Sequence, residues 1–280
     1  MSWSYLNDSF VKKEDVKISP FDRGFLFGDG VYELIPVYRG KLFLYDEHIA
    51  RLVNSLESTK INPPKKWKEF RTVVEELIQK NGYENQAIYI QITRGMEEVR
   101  NHAPNHQTVP TLFINSTELT LDIENKKYSK QEFSVKVQED MRWSRCDIKA
   151  ITLLGNVMSL NDTRIDEVIY HKEGLVTEGA KSNIFCVLDG IITTPAISND
   201  ILGGITRQYF IDLFLKLNIN VVEREITLDE LLEAEEVWFS SSGKVLRLVT
   251  NLNGIDLHTD FEGSLYRKAC NIFLEEIKNY

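Results

Sequence analysis

MRWSRCDIKAITLLGN, residues 141–156, places a lysine inside an apolar run. Ile148 and Ala150 flank Lys149, and further apolar residues follow. Apolar surroundings disfavour the ammonium form of a lysine, and the neutral amine is the nucleophile that Schiff-base chemistry requires. A lysine at a strand end, whose stem packs while its amine reaches water, would show the same pattern. From this segment alone the second interpretation is favoured.

The composition of the whole chain narrows the class of protein. The chain has 280 residues, of which 42% are hydrophobic, and its formal net charge is −9. These values are typical of a folded protein with one large domain or two modest ones. Because the net charge is negative, nonspecific binding to nucleic acid or to an anionic membrane is disfavoured. We therefore expect no nucleic-acid partner and no membrane partner.

Local features predict the location and the absence of a metal site. The first residues, MSWSYLNDSFVKKEDVK, lack the apolar core of a signal peptide, and no stretch has the apolar length of a membrane span. Cys146, Cys186 and Cys270 have neither paired nor metal-ligand spacing. We therefore expect a reducing, cytoplasmic location and no bound metal.

Strand and helix patterns are mixed along the chain and predict an α+β protein in two domains. A polar stretch separates a smaller N-terminal domain, residues 1–118, from a larger C-terminal domain, residues 132–280, which carries Lys149; residues 119–131 are the expected linker. Strands are predicted at 31–38, 41–45, 86–95, 111–117, 133–138, 167–171, 174–179, 182–188, 190–194, 220–226 and 236–242. Helices are predicted at 46–59 with Asp46 as N-cap, and at 65–82, 155–166, 205–217 and 263–278.

The segment ILGGITRQYFIDLFLKL, residues 201–217, has the pattern of a phosphate site. Gly203 and Gly204 precede a helix whose first turn contains Thr206. A helix N-terminus presents backbone amides and the positive end of a dipole, and glycines let a phosphate approach the backbone. A tight turn would also explain the glycine pair, so the motif is suggestive without being specific.

Two charged residues look ordinary when they are considered locally. Glu178 stands in VTEGAKSNIF, residues 176–185, where an acid near a strand end is typical of a solvated turn. Arg51 projects off the apolar stripe of its predicted helix, as surface arginines do. Neither residue indicates a site by itself.

Taken together, these motifs resemble the class IV aminotransferases, the fold type IV enzymes that use pyridoxal 5′-phosphate (PLP). EGAKSNIF at 178–185, ITT at 192–194 and LGGITR at 202–207 match the signature of this family in residues and in spacing. DRGFLFGDGVYE at 22–33, EHIARL at 47–52 and RWSRCDIK at 142–149 fit in the same order. Within the class, the chain resembles the bacterial D-amino acid (D-alanine) aminotransferases. The resemblance implies two domains with the cofactor between them.

The resemblance also assigns roles to individual residues. It implies that Lys149 forms a Schiff base with PLP and shuttles a proton, and that Glu178 faces the pyridine nitrogen. The other residues it implies at the cofactor are Leu202 on the ring face and Arg51, Ile205, Thr206, Ser241 and Ser242 at or near the phosphate.

The resemblance implies that Arg100 and His102, in TRGMEEVRNHAP, hold the substrate carboxylate together with Tyr32. In the family this loop reaches the site of the partner subunit, so a homodimer is implied. The activity implied is exchange of an amino group between a D-amino acid, such as D-alanine, and 2-oxoglutarate or pyruvate. Lys181 and Pro36 depart from the pattern of the D-specific enzymes, and the loop before Arg100 is one residue longer.

Other functions share the same cofactor residues. A branched-chain L-amino acid aminotransferase, a 4-amino-4-deoxychorismate lyase and an (R)-amine transaminase would each keep the lysine, the acid and the phosphate residues. Outside catalysis, a protein of this fold could carry PLP or bind an anionic metabolite. The Arg100 and His102 pair favours the D-amino acid enzyme.

Overall fold

The computed structural model describes residues 2–121, 133–257 and 261–280. The chain forms two compact units. The first unit is Met1–Thr120 with Ile148–Leu153, and the second is Leu121–Asp147 with Leu154–Tyr280. Helices and sheets occur in both, which confirms the α+β prediction.

The first unit is built on one antiparallel sheet of six strands, in the order β2-β1-β6-β5-β3-β4. Its strands are β1 (Trp3–Leu6), β2 (Ser9–Lys12), β3 (Gly30–Tyr38), β4 (Lys41–Leu42), β5 (Gln86–Thr93) and β6 (Thr111–Glu118). Its helices are α1 (Arg23–Phe27), α2 (Tyr45–Thr59) and α3 (Phe70–Asn81), with short 3-10 helices at Lys13–Asp15 and Trp67–Glu69.

Alternation along β3 explains how the sheet packs. Val31, Ile35 and Val37 are fully buried and share one face of the strand, as a period of two requires. Leu52 and Leu56 of α2 belong to the same hydrophobic core. Glu33 lies between the apolar residues on this face and is also fully buried. A carboxylate in this position needs charged or hydrogen-bonding partners.

Two predictions for this unit were wrong in detail. The predicted strand 41–45 ends at Leu42, because Leu44 adopts a left-handed conformation and Tyr45 already begins α2. Asp46 is therefore inside the first turn of the helix, and among the described residues the N-cap position is Leu44, whose apolar side chain forms no capping hydrogen bond. There the carboxylate still lies favourably with respect to the helix dipole.

The second unit contains two five-stranded sheets, ordered β12-β11-β10-β13-β14 and β16-β15-β7-β8-β9. The strands are β7 (Ser134–Glu139), β8 (Glu167–Lys172), β9 (Leu175–Gly179), β10 (Asn183–Leu188), β11 (Ile191–Thr194), β12 (Val221–Glu223), β13 (Glu236–Ser241), β14 (Val245–Leu248), β15 (Asn251–Leu252) and β16 (Ile255–Asp256). The helices are α4 (Leu154–Ser159), α5 (Ile205–Lys216), α6 (Leu228–Leu232) and α7 (Leu265–Lys278).

Two faces of β10 pack against different partners. Ile184 and Cys186 belong to an apolar cluster that includes Ile169 of the other sheet. On the opposite face Phe185 stacks on Trp238 and contacts Phe214 of α5 edge to face. Asn183 shares this second face, so the alternation of β10 directs its side chain toward the helix layer.

The units differ from the predicted domains in one respect. The sequence prediction placed Lys149 in the C-terminal domain because it follows the linker, whereas residues 148–153 belong to the first unit by their contacts. Their backbone pairs with β3, which explains the difference. The boundary at 118 and the linker over 119–131 stay predictions, since residues 122–131 lie outside the described part of the chain.

Within the described ranges, no helix combines the length and the hydropathy needed to cross a membrane.

Candidate active site

Lys149 lies on a short extended segment beside β3. The Tyr32 amide donates to the Lys149 carbonyl at 2.9 Å, and the Ile151 amide donates to the Gly30 carbonyl at 3.1 Å. Ile148 and Ala150 are buried in the core of the first unit. The alternation of an extended chain therefore turns Lys149 away from that core, and its Nζ lies 4.3 Å from the centre of the Tyr32 ring. The apolar residues around Lys149 in the sequence pack into this core, and their packing fixes the backbone that carries the lysine.

Arg51 is held by a buried carboxylate. Its Nε and Nη2 donate to the two oxygens of Glu33 at 2.9 and 2.6 Å. His48, one turn earlier on α2, places Nδ1 3.1 Å from Glu33 Oε1. This bidentate geometry fixes the plane of the guanidinium. The surface arginine expected from local sequence is thus a largely buried one, with 12% of its side chain exposed.

Charge and burial set the protonation states of Glu33 and His48. Burial acts to raise the pKa of the Glu33 carboxyl, but Arg51 and the hydrogen bond with His48 outweigh it, so the pKa lies well below the usual carboxyl range. Burial lowers the pKa of His48. A neutral His48 that donates from Nδ1 leaves Nε2 as an acceptor, and Nε2 is buried with no partner among the described residues.

Arg100 and His102 both contact one aromatic ring, that of Phe27. The Arg100 guanidinium carbon is 4.7 Å from the centre of the Phe27 ring, and the His102 ring centre is 5.3 Å from it. Both side chains are exposed, whereas Phe27 is half-buried. Phe27 ends α1 and therefore anchors the two residues to the first unit. The structure thus brings these two predicted residues together, and Tyr32 lies beside Lys149.

Glu178 is a buried carboxylate in the second unit, at the end of β9. Its Oε1 accepts from Arg142 Nη1 at 2.6 Å, and its Oε2 accepts from the Leu202 amide at 3.0 Å and from Asn183 Nδ2 at 3.3 Å. Arg142 also makes a fork with Asp140, at 2.7 and 2.9 Å. Burial opposes the charge of Arg142, but the two carboxylates outweigh it and raise the pKa of the guanidinium. These contacts hold Glu178 ionised and oriented.

The N-terminus of α5 is shaped for an anion. The helix begins at Ile205 after Gly204, no described side chain caps it, and Thr206 is buried in the first turn. First-turn amides of a helix have no partner within the helix, so they can bind a phosphate. A Cβ on Gly204 would clash with the Asn183 side-chain oxygen, so only glycine allows this close approach.

Ser240 and Ser241 end β13 in the same unit, and Ser242 follows directly. Ser240 pairs across the sheet with Asn183, whose amide also donates to the Leu202 carbonyl at 2.8 Å. Ser240 Oγ is buried and has no hydrogen-bond partner among the described residues. Ser241 and Ser242 are half-buried. An unsatisfied buried hydroxyl indicates room for a polar group that the described residues do not supply.

Several residues of these networks were not identified from sequence. Glu33 and His48 hold Arg51, while Arg142, Asp140 and Asn183 hold Glu178. Glu33, His48 and Arg142 stand within the motifs DRGFLFGDGVYE, EHIARL and RWSRCDIK, which was the only signal available. A motif shows that a position belongs to the pattern, but it does not show which side chain it pairs with.

The two departures from the family pattern have ordinary places in the structure. Lys181 is exposed, and its Nζ lies 3.2 Å from the Asp166 carbonyl. Pro36 is buried within β3, opposite Ala87, and its carbonyl accepts from the Phe43 amide at 2.9 Å.

An apolar-flanked lysine, an ionised carboxylate held by an arginine and a helix start open to a phosphate are the features of a PLP enzyme. Comparison with known proteins gives the family: residues 30–252 match the family described as amino-transferase class IV. The chain belongs to the class IV aminotransferases, which confirms the resemblance. Enzymes of this class use PLP, so PLP is its cofactor.

Relatives with assigned names extend over almost the whole chain. A D-alanine aminotransferase of Listeria monocytogenes is 37% identical over 279 residues, covering 97% of this chain and 95% of the relative. A D-alanine aminotransferase of Staphylococcus epidermidis is 34% identical over 286 residues, covering 100% of this chain and 99% of the relative.

Solved structures show the same fold. A branched-chain aminotransferase of the archaeon Thermoproteus uzoniensis superposes with a TM-score of 0.87 at 22% identity, covering 99% of this chain and 95% of the other. The branched-chain amino acid aminotransferase of Escherichia coli superposes with a TM-score of 0.85 at 23% identity, covering 98% of this chain and 93% of the other. At these identities the likeness establishes the fold alone.

PLP fits the residues present. The phosphate would take the start of α5 at Ile205 and Thr206, where the first-turn amides have no partner within the helix. In the same unit, the buried Ser240 hydroxyl has no hydrogen-bond partner among the described residues. The buried carboxylate of Glu178 suits a protonated ring nitrogen, because Arg142 keeps that carboxylate charged.

Proposed function

We propose that this aminotransferase moves an amino group from a D-amino acid, such as D-alanine, to 2-oxoglutarate or pyruvate. The observation that carries the choice is the pair Arg100 and His102, which Phe27 holds together on one loop. A cation beside a hydrogen-bonding imidazole suits an α-carboxylate, which amino acids and 2-oxo acids share. The names of the relatives at 34–37% identity support the same substrate class.

When bound, PLP supplies an electron sink for the pair of electrons released at the substrate Cα. Lys149 would hold the cofactor covalently before substrate binds. Once the substrate amine has replaced it, its free Nζ would take the proton from the substrate Cα. Tyr32 packs against this amine and limits the directions from which it can reach a substrate. Glu178 would hold a proton on the pyridine nitrogen through its negative charge.

Anion binding would be divided among separate groups. Ile205 and Thr206 would bind the phosphate through the first turn of α5, with Ser241 and Ser242 nearby, while Leu202 would pack on the ring. Arg51 would add a positive charge at the phosphate. Glu33 already binds two of its nitrogens, so we propose that Arg51 acts with a fixed orientation and a partly neutralised charge.

Stereochemistry follows from the position of the carboxylate. Once Arg100, His102 and Tyr32 fix the carboxylate, only one enantiomer directs its Cα–H bond at Lys149. The other enantiomer presents its side chain to the amine. Near-attack geometry is a requirement for efficient proton transfer, so a fixed carboxylate selects the enantiomer.

We further propose that the active form is a homodimer in which the loop carrying Arg100 and His102 completes the site of the partner. Large apolar side chains near this loop support an interface there, because Phe25 and Val99 are 75% and 74% exposed. An isologous contact would let each subunit give one loop and receive one. The three free, buried cysteines fit the proposed cytoplasmic location.

A transaminase and a lyase can be distinguished by whether the reaction needs a 2-oxo acid as amino-group acceptor. A transaminase releases pyruvate from D-alanine only as fast as 2-oxoglutarate is consumed, whereas a 4-amino-4-deoxychorismate lyase releases pyruvate from its substrate with no acceptor. We expect purified enzyme loaded with PLP to give stoichiometric pyruvate and glutamate from D-alanine and 2-oxoglutarate. Acceptor-independent pyruvate from aminodeoxychorismate would refute this. Failure to exchange with any amino acid would favour a PLP carrier.

A further inference from the structure

Arg23 is a buried arginine that binds the backbone of the loop carrying Arg100 and His102. Its side chain is 4% exposed. Nη1 donates to the Asn101 carbonyl at 2.6 Å, and Nη2 donates to the His102 carbonyl at 3.0 Å. The guanidinium therefore holds two consecutive peptide groups directly after Arg100. A planar fork of this kind sets the direction of the backbone, and with it the origin of both side chains.

The same arginine also contacts the aromatic ring that both of those side chains contact. The guanidinium carbon of Arg23 lies 4.8 Å from the centre of the Phe27 ring, to which Arg100 and His102 are adjacent. Arg23 begins α1 and Phe27 ends it, so one short helix supplies both the fork and the ring. The same helix therefore holds both the backbone of the loop and the side chains of Arg100 and His102.

Apolar packing does not hold this loop on every side. A surface cavity of about 770 Å³ is lined by Glu97, Val99, Asn101 and Asn105 of the loop, together with Asn7 and Lys66. With open space on that side, polar anchors must define the conformation of the loop. Glu97 is one anchor, because it accepts from Arg23 at 3.0 Å and from the Asn105 amide at 2.8 Å.

Arg23 is itself fixed by the rest of the unit. Its Nε donates to Asp29 at 2.8 Å, and Asp29 also accepts two hydrogen bonds from Arg94 at 2.8 and 3.0 Å. Arg94 donates to the carbonyls of Lys60 and Thr59 at the end of α2. This chain of contacts joins the loop to the helix that carries Arg51.

We propose that Arg23 is a positioning residue for substrate carboxylate recognition: it fixes the loop so that Arg100 and His102 are presented in the binding conformation. The inference rests on the proposed role of Arg100 and His102. It makes Arg23 a determinant of affinity for amino acid and 2-oxo acid alike, although Arg23 does not itself touch either substrate.

The test uses two reagents that differ by one carboxylate. Aminooxyacetate and methoxyamine both react with enzyme-bound PLP through the same aminooxy group, so the ratio of their rate constants reports carboxylate recognition. Lysine in place of Arg23 keeps the charge but loses the fork to the two carbonyls. We expect Arg23→Lys to lower the ratio about tenfold, the equivalent of one lost charged hydrogen bond. Methoxyamine reactivity stays unchanged.

A second readout is independent of the cofactor. Hydrogen exchange of the backbone amides at 99–103 should accelerate about tenfold in Arg23→Lys, because the opening of the loop becomes easier. Asp22→Asn is the matched control. Asp22 is the buried neighbour that caps α1 through the Gly24 amide and accepts from Thr93 and Thr111. This control should leave the reagent ratio unchanged even where it lowers the melting temperature.

The possible results separate the inference from the proposed function. If Arg100→Ala lowers the reagent ratio and Arg23→Lys does not, the positioning role is overturned and the proposed function stands. If Arg100→Ala leaves the ratio unchanged, the proposed carboxylate site itself fails, and the inference fails with it. If Arg23→Lys does not fold, Glu97→Gln weakens the same hold from the loop and must lower the ratio two- to threefold. An unchanged ratio in Glu97→Gln then overturns the inference.

Discussion

Replacing Glu178 by glutamine separates the charge of this residue from its shape. In the wild-type protein one carboxylate oxygen faces Arg142 and the other faces the Leu202 amide and Asn183. All of these partners are donors, and Glu178 is 4% exposed. A glutamine has one acceptor oxygen, so its amino group must face a donor on one side. Glu178→Gln therefore loses the hydrogen bonds of one carboxylate oxygen, and it loses the negative charge that both oxygens share.

The loss of stability in Glu178→Gln depends on the contacts that Arg142 retains. Arg142 keeps its fork with Asp140, so the variant does not leave a bare buried charge, which would cost about 3–5 kcal/mol. Loss of one charged hydrogen bond and an unsatisfied donor instead gives about 2–3 kcal/mol. For a chain of this size that corresponds to a fall in melting temperature of roughly 3–5 °C. Without the charge opposite the pyridine nitrogen, we expect kcat to fall at least about 100-fold, or about 2.7 kcal/mol.

Asp140→Asn is the control, since it removes the other partner of Arg142 without touching Leu202 or Asn183. We expect it to destabilise the protein at least as much while kcat for D-alanine and 2-oxoglutarate stays within about fivefold, because the charge of Glu178 is retained. The assay is steady-state kinetics at saturating PLP, with thermal unfolding of each variant. Equal losses of kcat in the two variants would refute a direct role of Glu178.

Three further predictions concern other residues of the site. Lys149→Ala should bind PLP without multiple turnover, and borohydride treatment of the wild-type enzyme should label the peptide of Lys149; a label on Lys181 would contradict the assignment. Arg100→Ala mixed with Lys149→Ala should recover some activity, because a mixed dimer can hold one intact site, and no recovery after confirmed subunit exchange would count against a shared site. Glu33 has a depressed pKa, so its contribution to the unfolding free energy is present above the ordinary carboxyl pKa of about 4.5 and is lost as the pH falls below it. Between about pH 5 and pH 3, the unfolding free energy measured with urea should therefore fall more steeply for wild type than for Glu33→Gln. Parallel plots of unfolding free energy against pH would contradict this.

Local patterns predicted much of the fold because they report which face of an element is apolar. The apolar run in residues 182–188 corresponds to β10, and the glycine pair at 203–204 stands immediately before α5. The predicted helix at 155–166 was too long, since α4 ends at Ser159. Its exposed apolar residues do not form a stripe against the core of the unit, so periodicity was a poor guide there.

Partners that are distant in sequence could not be predicted. Glu33 and Arg51 are joined across β3 and α2, and Arg142 and Glu178 across two strands and a helix, so their pairing depends on strand register and helix placement. Arg23 gave no sign that its guanidinium would bind backbone carbonyls at 101 and 102. The position of Lys149 in the first unit was also missed, because chain order does not reveal pairing with β3.

Reaction of the PLP-loaded enzyme with single amino acids tests the central claim most directly. Each D- or L-amino acid is mixed alone with the enzyme, and the visible absorbance of the cofactor is followed until the first half of the reaction is complete. We predict that D-alanine converts the cofactor far faster than L-leucine or L-glutamate does, and that Arg100→Ala removes most of this advantage. Faster conversion by L-leucine or L-glutamate than by any D-amino acid would contradict the account and favour a branched-chain aminotransferase.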